Sequence, residues 1–115
     1  MRYIMRQEEH RAKADRLRET LSRLDDGKDY ETVIETCFAA AVQLLACIAE
    51  RRRGRHHDTH KGLPHFLQEA DLPDLSEKLR ELESLRTSRF YGGQKDGKAA
   101  RRAREVLDEI ESQLH

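Results

Sequence analysis

The stretch LRTSRFYGGQ, Leu85 to Gln94, sets two arginines and a tyrosine ahead of a glycine pair in a chain that is only 5% aromatic. A guanidinium presents its N–H donors as a rigid planar fork and stays charged, so an arginine is suited to hold a phosphate or a carboxylate rather than to pass protons. A tyrosine hydroxyl, with an ordinary pKa of about 10, is a poor general base unless strongly perturbed. Anion recognition is therefore the first chemistry on offer here.

A second cluster joins His56, His57, His60 and His65 with Asp58. Neutral imidazoles and a carboxylate are metal ligands, and His56 and His60 have the i, i+4 spacing of one helix face. Gly54 and the surrounding turn residues put at least His56 and His57 in a loop, so exposed histidines, with one packing or capping, are the leading reading. Arg51, Arg52, Arg53 and Arg55 are able to meet RNA phosphates, yet cations are also favoured at a helix C-terminus by its dipole. Cys37 and Cys47 fall on one helix about 15 Å apart along its axis, too far to bridge, and read as packed free thiols of a reducing cytoplasm. The sequence calls for no cofactor and no bound metal.

The elements that must position these residues are helical. Charged residues make up 38% of the chain, Lys+Arg and Asp+Glu balance at 22 each, Trp is absent, and prolines and glycines are few. A balanced charge argues against a wholly basic nucleic-acid coat. A length of 115 residues fits a single domain, 1–115. No signal-peptide core is visible at the N-terminus, and no run is expected to reach the roughly 20 apolar residues of a membrane span.

Ala14, Leu17, Leu21 and Leu24 mark a first helix that Asp25-Asp26-Gly27 ends. Asp29 stands as N-cap of a second, whose wide apolar face carries Tyr30, Val33, Ile34, Cys37, Phe38, Ala41, Leu44, Leu45 and Ile48. That helix should be the most buried. A short helix is expected within Thr59 to Ala70, followed by one marked by Leu75, Leu79, Leu82 and Leu85, and by a last one from about Lys98 with Ala99, Ala103, Val106, Leu107, Ile110 and Leu114 inward and Arg101, Arg102 and Arg104 turned away. The fold class is all-α: an antiparallel four-helix up-and-down bundle with an additional short helix.

On a wheel of about 100° per residue, Arg86 falls near the centre of the leucine stripe and Arg89 on its flank. Arginines in that place need a partner: a carboxylate from another helix, a route to solvent along the stem, or a ligand anion shared at a symmetric interface. Tyr91 lies about 140° further round, so only an irregular helix end brings it to Arg86.

From about Tyr30 to Leu114 the chain resembles the HEPN domain family of small helical proteins. The features that carry the resemblance are TVIETCFAAAVQLLACIAE, then HKGLPHFL from His60 to Leu67, then RTSRFY from Arg86 to Tyr91 before the last helix. Active members pair an arginine and a following polar residue with a histidine a few positions on, and two subunits form one composite site. Carried over, Arg86 takes the arginine place and Thr87 the polar one, while Tyr91 stands where the histidine would be.

The resemblance implies a nucleotide- or RNA-phosphate-binding protein, with Arg86, Thr87, Arg89, His60 and Lys61 as phosphate contacts, acting as a homodimer in a toxin-antitoxin type pair with a nucleotidyltransferase. Its alternatives are a metal-independent endoribonuclease using Arg86 and Tyr91 as catalytic pair, and a non-catalytic interaction module whose arginines are paired internally. Because tyrosine replaces histidine, binding is favoured over cutting.

Overall fold

The computed structural model describes residues 6–53, 73–88 and 97–113, and these form four helices without a strand: α1 (Arg6–Leu21), α2 (Tyr30–Arg53), α3 (Pro73–Ser88) and α4 (Lys98–Ser112). The all-helical expectation holds. The short helix expected within 59–70 lies outside the described residues, as does the histidine-rich loop around it.

Each helix carries its own start and stop chemistry. Glu8 and Glu9 sit in the first turn of α1 and Arg18 in its last, on the sides that the helix dipole favours. The helix tightens as it ends, with the Leu24 N–H donating to the Leu21 carbonyl at 3.1 Å. The turn that follows is built on aspartates. The backbone N–H groups of Lys28 and Gly27 both donate to Asp25 Oδ1 at 2.8 Å, and they hold its carboxyl below the usual range.

Asp29 occupies the N-cap position of α2, its carbonyl accepting from Val33 N–H at 2.8 Å. Its carboxylate, however, turns back to accept from Asp25 N–H at 2.8 Å, so the side chain staples the turn. Gly97 precedes α4 with φ of 84°, and a Cβ there would lie 3.1 Å from the Asp26 carbonyl oxygen. Only glycine fits without strain, because the α1–α2 turn and the start of α4 meet backbone to backbone.

As its wide apolar face implied, α2 is the central element. Val33, Ile34, Cys37, Ala40, Ala41, Leu44 and Leu45 are wholly buried, and α1, α3 and α4 each pack against this helix. Residues Tyr30–Ile48 are long and apolar enough, by length and composition, to cross a membrane, which corrects the expectation that no run is. In the fold, 61% of that window is buried inside the molecule, and its neighbours are Leu75, Leu79 and Leu82 of α3, Ala14 and Leu21 of α1, and the inner face of α4. Each large side chain so covered contributes about 1.5–3 kcal/mol relative to exposure.

The second correction concerns the arginines of α4. Arg101 is exposed, but Arg102 and Arg104 are not simply turned away. Arg102 donates from Nε and Nη2 to the two carboxylate oxygens of Glu81 on α3, at 2.6 and 2.9 Å, a bidentate pair that depresses the Glu81 pKa. Arg104 donates from Nε to Asp26 at 2.7 Å and from Nη2 to the carbonyls of Leu21 and Leu24, each at 3.0 Å. It thereby caps the end of α1 from another helix. Apolar periodicity assigns such residues to the outside; the length of an arginine stem lets them reach a neighbour from there.

Arg104→Met keeps the stem and removes the cap, and urea denaturation should show a loss of about 2 kcal/mol, against less than about 0.5 for Arg101→Met. Glu81 has a lowered pKa when folded, so its contribution is present above the unfolded carboxylate value and is lost as pH falls through the folded one. Thermal melts from about pH 5 downward should therefore show a smaller acid loss for Glu81→Gln than for the parent chain.

Candidate functional site

Arg86 stands in the last turn of α3. Leu79 and Leu82 anchor the same side of the helix in the core, and Arg86, continuing that side, is carried onto the first turns of α2. Its Nε donates to Glu35 Oε1 of α2 at 3.0 Å, and its Nη1 donates to Glu83 Oε1 of α3 at 3.1 Å. The guanidinium carbon lies 4.6 Å from the centroid of the Phe38 ring, one helical turn beyond Glu35. Glu35 and Phe38 are spaced i, i+3, which sets carboxylate and ring side by side on α2.

The stem follows the leucine stripe while the head ends near the surface, 37% exposed, beside a Glu35 that is 38% exposed. Partial burial works against its charge, but the hydrogen bonds to Glu35 and Glu83 outweigh that and raise the Arg86 pKa further. The group is a permanent cation and takes no part in proton transfer. Among the described residues this guanidinium faces two carboxylates, so a phosphate there would have to take the place of a carboxylate.

Thr87, the polar neighbour, is exposed, and its Oγ1 donates to the Glu83 carbonyl at 2.9 Å. Glu83 thus serves both residues, its side chain holding Arg86 and its backbone holding Thr87. Arg89, Tyr91, His60 and Lys61 lie outside the described residues, as do His56, His57 and His65. The residues that the sequence alone did not single out are Glu35 and Glu83. Glu83 had a usable signal, since it precedes Arg86 by three on one helix; Glu35 had none, because its partner is on another.

Other reactive groups offer less. Cys37 is wholly buried, and burial pushes its thiol up to about 12 despite the nearby charges of Arg104 and Arg18. A protonated, enclosed thiol is no nucleophile. An open cavity of about 250 Å³ lies between the end of α1 and the face of α4, lined by Arg18, Leu21, Ser22, Arg104, Leu107 and Asp108. Its arginines are engaged, Arg104 by Asp26 and Arg18 by Asp108 and Glu111. It shares no residue with the Arg86 cluster.

Arg86→Ala removes two partly exposed ion pairs and a cation-ring contact, and should lower stability by about 1–2 kcal/mol. A double-mutant cycle with Glu35→Ala, read by urea denaturation, should return a coupling of less than about 1 kcal/mol, with the sign of attraction. No family model matches this chain, and no curated protein or solved structure matches it either.

Proposed function

We propose that this chain is a non-catalytic helical interaction module of the HEPN-like kind, in which Arg86 is an internal clamp between α3 and α2. One observation carries the reading: the Arg86 guanidinium donates to two carboxylates of its own chain and lies over an aromatic ring of that chain. A resident anion is then unnecessary to balance it. The same device recurs at Arg102, which joins Glu81 of the neighbouring helix and whose other ion-pair partners among the described residues are Glu105 and Glu109 of its own helix. Where a charge-rich chain uses one arrangement twice, architecture is the simpler reason for both.

An up-and-down arrangement is supported by where the helix ends meet. Arg86 near the end of α3 reaches Glu35 near the start of α2, and Asp74 at the start of α3 accepts from Gln113 beyond the end of α4 at 3.0 Å. Arg104 near the start of α4 reaches the carbonyls of Leu21, at the end of α1, and of Leu24 just beyond it. The buried thiols of Cys37 and Cys47 fit a reducing, cytoplasmic setting.

A second reading is nucleotide- or RNA-phosphate binding, as a homodimer beside a nucleotidyltransferase in a toxin-antitoxin type pair. The exposure of the Arg86 head favours it, at 37%, because a guanidinium half open to solvent is able to exchange a carboxylate for a phosphate. Cleavage of RNA would ask more. It needs Tyr91 to move a proton, and neither Arg86 nor a Thr87 hydroxyl bonded to its own helix supplies that.

The readings part on one variant. Titration of fluorescent RNA and of ATP into the parent chain and Arg86→Ala, with melting followed in parallel, should show a destabilised variant and no phosphate-dependent binding by either. If the parent binds and Arg86→Ala, still folded, loses at least about tenfold in affinity, the phosphate-binding reading replaces the module.

A further inference from the structure

Helix α1 is attached unlike the others. Among its described side chains, Ala14 and Leu21 alone are fully buried, with Leu17 half-buried beside them. By contrast α4 buries Ala99, Ala100, Ala103, Val106, Leu107 and Ile110. Among the described residues α1 comes backbone-close to α2 only. What ties it to α4 is charge. Arg11 Nη2 meets Glu111 Oε2 at 3.1 Å, Arg18 Nε meets Glu111 Oε1 at 2.7 Å, and Arg18 Nη2 meets Asp108. Glu111 is the shared anchor of both arginines, and Arg104 closes the far end on the Leu21 and Leu24 carbonyls.

These two kinds of attachment answer differently to salt. Apolar contact is insensitive to it, whereas pairs between partly exposed charges weaken as the screening length falls from about 8 Å at physiological ionic strength to about 3 Å at 1 M. A helix of 16 residues is marginal by itself, so what holds it in place also holds it helical. We propose that α1 is an electrostatically latched helix, released from the bundle as a unit when its Arg11 and Arg18 pairs with α4 are weakened, while α2, α3 and α4 stay folded together.

Amide hydrogen exchange read by mass spectrometry at low and high NaCl tests this on the full chain. Protection of the α1 peptides should fall about tenfold between about 0.05 M and 1 M salt, while α2 and α4 peptides change less than about twofold. Glu111→Gln, which removes the shared anchor, should give the high-salt α1 rate already at low salt. Common protection of α1, α2 and α4 at both salt concentrations overturns the latch, as does an α1 rate indifferent to salt in the parent chain.

Discussion

The burial of one side of α2 is the constraint on which the other described helices depend. Ile34, Leu44 and Leu45 are wholly withdrawn from water, and α1, α3 and α4 each meet this helix. Its small residues matter as much as its large ones. Ala40 and Ala41 share the buried core with Ala14 of α1 and Ala99, Ala100 and Ala103 of α4, and residues this small let backbones come close enough for modest side chains to fill the interior. An aromatic content of 5% leaves few alternatives, since a core without large rings has to gain contact by approach.

Around that core the surplus of charge is spent on orientation. Arg86 on Glu35, Arg102 on Glu81 and Arg104 on Asp26 each join two elements from the rim of the bundle, where side chains are a quarter to two fifths exposed. Pairs in such places contribute little stability each, but a planar fork on a carboxylate admits few geometries and so sets how helices are rotated against one another. Arg86 belongs to this set by its contacts. What distinguishes it is position, at the end of α3 next to the Arg89 and Tyr91 that make the motif suggestive.

Much of this is legible in the sequence. The spacing of Leu75, Leu79 and Leu82 placed α3 and its buried side, and the run from Val33 to Ile48 announced a central helix. The aspartates of the first turn announced a stop, although not that Asp29 would bond back to Asp25 instead of forward along its own helix. Ser76 escapes pattern reading, since one polar residue among leucines leaves the periodicity unchanged: it is buried beside Leu75, and its hydroxyl has no hydrogen-bond partner among the described residues. The wheel rightly put Arg86 on the core side of α3, yet could not tell a buried head from one that emerges over Phe38.

By itself the sequence determined the helices and the faces they turn inward, because periodicity, capping residues and turn aspartates act within a few positions of one another. Only the tertiary structure decided what the arginines hold. Arg86 and Glu35 are 51 residues apart, and Arg102 and Glu81 are 21 apart on different helices. A long guanidinium stem can reach in several directions, so its partner is selected by which carboxylate the packed helices bring within reach, and no local rule carries that information.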